Sequence, residues 1–258
     1  MKIRLTLSAC FAPFVLFQPA VAFAADAPAA PSSSYQSAVP QDEQQLDTLS
    51  GQATTLPFAQ PLDEVIDLHM KHRGGYDAVK AISAVDYEGT RYVGCEHFSL
   101  KVHQSRSAEA ALRSKDMSKE ELLQAGVFVP DDSGLDARQA QAIHQTFDFY
   151  GPLVDWHKKK YVIDRRGMEK LPRILAYKLE VKRHDGYREM LYVDSHTGDI
   201  VREMIVDAKG STVLQIWRHD FRDAGGSRYP FAVDYMDASG ALLTSDRLQR
   251  IDPVRAGS

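Results

Sequence analysis

The chain has 258 residues, a formal net charge of −4 and 26% charged residues, values without the basic excess that binding to a polyanion requires. Beyond the N-terminus no apolar run approaches the ~18 residues of a membrane span. Two cysteines, Cys10 and Cys95, are too few for a disulfide framework, so stability must come from a packed core.

Lys2 and Arg4 precede a mostly apolar run over residues 5–17, and Ala22-Phe23-Ala24 supplies small residues at the positions a signal peptidase reads. The expectation is cleavage after Ala24, with residues 1–24 a signal peptide and the rest exported to the periplasm. Leu7-Ser8-Ala9-Cys10 has the look of a lipidation site, but too little precedes it to form an apolar region, and lipidation at Cys10 is not expected. Residues 25–60 are rich in Ala, Pro, Ser and Gln and read as a flexible leader. The folded domain is expected over 61–258.

Within residues 61–82, Leu62, Val65, Ile66 and Met70 recur at helical spacing. Gly74-Gly75 ends that helix, and residues 76–82 make a second, shorter one. Two strands follow, 85–93 and 96–104, around Gly94-Cys95; Gly89 inside the first marks a bulge or bend. Ser118 to Glu121 has the Ser-x-x-Glu start of a capped helix. Residues 136–147 give another helix, with Ala140, Ile143 and Phe147 on one face. Residues 152–156 and 160–164 lead into the remainder.

From 173 to 251 the pattern is a ladder of strands with a turn signal at each break. Residues 177–182 alternate apolar and polar, His184-Asp185-Gly186 turns the chain, and 187–194 forms the next strand. Strands at 200–207, 212–221, 230–236 and 241–251 follow, separated by Gly198, Gly210, Gly225-Gly226 and Gly240. Six short strands joined by tight turns make an antiparallel meander, whose one face the helices must cover. Tyr177, Leu179 and Val181 share a face, as do Leu191 and Val193 on the next strand, and Leu214 and Ile216 with Gln215 and Trp217 opposite.

Several stretches occur in an order that resembles the LolA/LolB-like periplasmic proteins, the outer-membrane lipoprotein-sorting group. They are His72-Arg73-Gly74-Gly75-Tyr76, Tyr87-Glu88-Gly89-Thr90, Phe147-Asp148-Phe149-Tyr150-Gly151-Pro152, Tyr192-Val193-Asp194-Ser195-His196-Thr197-Gly198, Asp220-Phe221-Arg222 and Tyr229-Pro230-Phe231. The resemblance spans about 61–253; the Asp-Gly-x-x-x-Trp stretch of many relatives is missing between 101 and 135. It implies an α+β fold, a strongly curved antiparallel β-sheet or half-barrel covered by helices. It also implies a periplasmic carrier or chaperone, with a lipid, a lipoprotein acyl chain or another hydrophobic ligand as partner and an envelope protein as a further one.

The candidate lining is Tyr177, Leu179, Val181, Leu191, Val193, Leu214 and Ile216. Each of these is also what a plain core would contain, which keeps a ligand-free envelope interaction module as the alternative. No His-Glu-x-x-His or Gly-x-Ser-x-Gly is present, so no catalytic residue, metal or cofactor is assigned and a hydrolase is the least favoured reading. His69 and His72 lack further ligands for a metal and are expected as solvated or capping histidines near a helix C-terminus. Lys158-Lys159-Lys160 and Arg165-Arg166 are expected on a solvated face.

Overall fold

The computed structural model describes residues 60–107 and 134–256. The expected signal peptide, nearly all of the leader and the Ser118 helix lie outside these residues.

Three helices and nine strands are described: α1 (Leu62–His72), α2 (Tyr76–Ala81), β1 (Ile82–Val93), β2 (Glu96–Ser105), α3 (Ala137–Thr146), β3 (Val162–Leu171), β4 (Ile174–Lys182), β5 (Arg188–Asp194), β6 (Ile200–Val206), β7 (Thr212–Ala224), β8 (Ser227–Met236) and β9 (Leu242–Arg255). All nine strands form one antiparallel sheet in the order β2-β1-β9-β8-β7-β6-β5-β4-β3. It is an open, curved sheet with β2 and β3 as its edges. Register shifts in the β1–β9, β3–β4, β5–β6, β6–β7 and β8–β9 pairs supply bends of the kind β-bulges introduce. The α+β half-barrel expected from the sequence is what the chain forms.

The meander is punctuated by aspartates. Asp207 accepts from the backbone N–H of Lys209 and Ser211, and Asp237 does the same for Ser239 and Ala241, with Gly210 and Gly240 closing each turn at positive φ. Both carboxyls are held below their ordinary range, Asp207 foremost by Ser211 and Asp237 by Ser239. Gly89 lies at a β1–β9 register shift, where an added Cβ would collide with the Arg247 carbonyl.

Two elements depart from expectation. β3 runs to Leu171, well past residue 164, because Gly167 (φ 101°) and the Arg165/Met168 register shift break the alternation that signals a strand. Helix α3 forms behind a reciprocal Asp136–Gln139 capping box but buries Gln139, Ala142 and Thr146. The buried stripe is thus turned by about one position from the Ala140–Ile143–Phe147 face.

Helix α1 carries Asp63 and Glu64 in its first turn and Lys71 in its last, matching its dipole. It lays Val65 into a cluster with Leu153, Tyr161, Ile163, Tyr177, Leu179, Val181, Leu191 and Val193, and Leu62 and Leu68 pack against the same group. Helix α3 covers the next strands, placing Ala142 against Ile205, Val213, Leu214 and Ile216.

Candidate functional site

The concave face of the sheet is built by register. Tyr177 stands opposite Val193 and Leu179 opposite Leu191 across β4–β5, and Leu191 faces Glu203, which faces Ile216, across β5–β6–β7. All seven lining candidates therefore share the inner face. Their exposures run from 0% for Leu179, Val181, Leu191, Val193 and Leu214 to 7% for Ile216, so helices close over them. Five lie under α1, while Leu214 and Ile216 lie under α3. Tyr177 also lines a cleft of about 230 Å³, together with Gln60, Glu64, Val65, Leu68 and Ser195. That volume is below the roughly 300–1,000 Å³ of ordinary small-molecule sites.

Past the helices the inner face continues. β1 and β2 pair Tyr87 with Val102, Gly89 with Leu100 and Arg91 with Phe98, and β7 and β8 pair Arg218 with Val233 and Ile216 with Tyr235. Val102, Leu100, Phe98, Val233, Tyr235 and Leu248 are all half-buried. This part of the face is aromatic and apolar, with a few charged groups embedded in it.

Two hairpin turns clamp the C-terminal end of α1. The Nδ1–H of His69 donates to the Gly198 carbonyl at 2.8 Å, and Gly74 packs on Gly226 so closely that a Cβ would overlap its carbonyl oxygen. His69 is 5% exposed, which corrects the expectation of a solvated residue. Burial, aided by Arg73, pulls its pKa from 6.5 to about 3, so the ring is neutral. His72, by contrast, is exposed. Among the described residues no group of three or more His, Cys, Asp or Glu side chains gathers for a metal, and no helix is long and apolar enough to cross a membrane.

The segment between α3 and β3 is tied down by charge. Asp155 takes Lys80 at 2.7 Å, Lys158 at 3.2 Å and the Tyr76 hydroxyl, and with these donors, Lys80 foremost, its carboxyl falls well below the carboxylate range. Lys159 grips Asp148 at 2.6 Å, and the Tyr150 hydroxyl donates to the Ile82 carbonyl at 3.1 Å. Arg166 pairs with Glu180, and Arg165 donates to the Gln60 carbonyl at 2.9 Å. Of these basic runs Lys158, Lys160, Arg165 and Arg166 lie on the expected solvated face, Lys158 and Arg166 each meeting a carboxylate there, and only Lys159 turns inward.

Sequence reasoning missed the charges of the inner face. Asp246 receives two Arg91 bonds at 2.7 Å, Glu203 receives Arg218 at 2.6 Å, and Glu189, 1% exposed, receives Arg183 at 2.8 Å. Glu189 is held above the usual carboxylate range by burial and by Glu203, with Arg183 opposing. The one available signal was an acidic residue at an inward position of an alternating strand.

No protein-family model and no curated protein matches the chain. Among solved structures it is similar to a DUF1329 family protein from Desulfovibrio piger, with 14% identity over 78% of this chain and 96% of that one and a TM-score of 0.47. It is also similar to an outer membrane lipoprotein-sorting protein domain from Vibrio parahaemolyticus, at 10% identity, 74% and 91% coverage and a TM-score of 0.47. A LolA superfamily protein from Nitrosomonas europaea gives 12% identity, 77% and 96% coverage and a TM-score of 0.46. At these scores the likeness bears on neither ligand nor partner, for which the inner face itself is the ground.

Proposed function

We propose that the protein is an exported periplasmic carrier that holds an apolar chain, of a lipid or a lipoprotein, against the inner face of the half-barrel. The observation that carries this reading is the way that face is covered. Its β3–β5 part is covered by the eleven-residue α1 through Leu62, Val65 and Leu68, together with Leu153 and Trp156 of the segment before β3, and a cleft already opens along the seam at Tyr177. Lifting α1 together with the Leu153–Trp156 segment would uncover Tyr177, Leu179, Val181, Leu191 and Val193, and withdrawal of α3 would add Leu214 and Ile216. Each Å² of apolar ligand surface covered there contributes about 25 cal/mol, which works against the cost of the lost helix contacts.

The test is native mass spectrometry of the exported protein, prepared without detergent and incubated with vesicles of phosphatidylethanolamine and phosphatidylglycerol. One lipid per chain supports the carrier. A mass that stays clean removes it and favours the interaction module.

A further inference from the structure

Charged pairs cross the inner face from one strand to the next. Glu189 on β5 holds Arg183 at 2.8 Å, Glu203 on β6 holds Arg218 of β7 at 2.6 Å, and Asp246 on β9 takes two bonds of 2.7 Å from Arg91 of β1. Strand register joins these pairs into one belt. Leu191 stands opposite Glu203, so Glu189, two residues before Leu191 on the same face, lies diagonally beside Glu203. Arg218 stands opposite Val233, Val233 opposite Asp246, and Asp246 opposite Arg91. The belt thus runs obliquely from β5 to β1, with Val233 as its one apolar member.

The apolar side chains on its two sides belong to different clusters. Ile205, Leu214 and Ile216 pack under α3, whereas Leu179, Leu191 and Val193 pack under α1. Tyr229 and Phe231, which precede Val233 on β8, form part of a third group on the α1 side of the belt. In the row that crosses the strands, Leu191 and Ile216 flank Glu203, one from each side. Each carboxylate of the belt has its guanidinium, and the Arg218 and Arg91 side chains remain 24% and 16% exposed, so water still reaches both pairs. An apolar chain laid over them would strip that water and return no hydrogen bond, a cost absent from the aliphatic surface on either side.

We infer that the Glu203–Arg218 pair, continued by Glu189 and by Asp246–Arg91, is the specificity-determining limit of the ligand groove: the bound chain lies on the α1 side, its reach ends at the belt, and Leu214 and Ile216 beyond it stay core. Helix α3 then keeps its place when ligand binds. The inference rests on the carrier reading and adds to it a selection by chain length.

The experiment measures competition among straight-chain methyl esters, from methyl octanoate to methyl arachidate, for the full exported protein at neutral pH by native mass spectrometry. Affinity is expected to rise about fourfold with each methylene that finds cover and to level off before the longest ester. In the double variant Glu203→Leu, Arg218→Met, which leaves no lone charge behind, methyl octanoate should bind as in the wild type while the rise continues to longer chains. Two single variants test the sides without touching the pair. Leu191→Ala should weaken the longer esters severalfold, and Ile216→Ala, across Glu203, should leave the whole series unchanged. An affinity that climbs through the longest ester in the wild type overturns the limit and leaves the carrier standing. So does a levelling that the double variant does not move, or an equal effect of Leu191→Ala and Ile216→Ala. No binding at any length overturns the carrier and the limit with it.

Discussion

The imidazole of His69 donates from Nδ1 to the carbonyl of Gly198 at 2.8 Å, joining the last turn of α1 to the β5–β6 hairpin. Only the neutral ring sits comfortably there, since burial and Arg73 both oppose a second proton. The bond holds α1 over Leu179, Leu191 and Val193 and so links the state of one ring to the cover of the groove.

This gives a pH dependence of known sign. The folded-state pKa of His69 is depressed from 6.5 to about 3, so the unfolded chain binds the additional proton between these values. Its contribution is fully present above pH 6.5 and is lost progressively as pH falls, by about 1.4 kcal/mol per unit at most. Urea titrations just below that value, where carboxylates are still ionised, should show the slope. His69→Gln, which can keep the donor, should remove it.

Gly198→Ala should destabilise the same joint from the other side. Gly198 has φ of 72°, and an added Cβ would stand 2.8 Å from the backbone nitrogen of His69. Strain of about 1–3 kcal/mol is expected from the backbone alone, before α1 shifts to relieve the clash. A fall in melting temperature with faster protease cleavage near α1 is the expected result; wild-type behaviour would mean that α1 does not bear on the turn.

Asp148→Asn should be costlier than its conservative chemistry suggests. The Asp148 side chain is 1% exposed and Lys159 14%, so removing the carboxylate leaves a mostly buried ammonium unpaired. Losses of about 3–5 kcal/mol are typical of such a break. The double variant Asp148→Asn, Lys159→Met should recover much of this in equilibrium unfolding, because no lone charge remains.

Core and cover should separate under alanine substitution. Leu179, 0% exposed at the centre of the β4–β5 face, should cost about 2–5 kcal/mol as Leu179→Ala. Val65→Ala should cost less, and on the carrier reading it should also quicken uptake of a lipid probe, since Val65 is the buried contact of α1 with that face. Slower or unchanged uptake would count against α1 as the moving cover.

The meander was legible because each of its strands alternates and each break carries a turn residue, as Asp185-Gly186 and Asp237 with Gly240 show. β3 was hidden by Gly167 and by charged residues on both of its faces. Burial of His69 had a faint trace, since it lies four residues after Val65 on the apolar stripe, but a histidine at a helix end reads as a dipole partner. The charged pairs of the inner face could not be read because they join residues far apart in the chain, as Arg91 and Asp246 do. Side-chain alternation gives each strand two faces; only the pairing shows which carboxylate meets which guanidinium.

The pairing of β1 with β9 has a consequence in time. Ile82 meets Arg255 and Val93 meets Thr244, so the first strand finds its central neighbour only when the last has been made. Seams between such distant segments form late, because a long loop must close before any contact rewards it. Until then the β1–β2 hairpin and the far edge of β8 are both unpaired, and a chain cut before Leu242 would keep them so. A molecule assembled in this order reaches its finished sheet only after its C-terminal strand arrives, and the partly built form, with two open edges, is the one most exposed to capture by chaperones or by copies of itself.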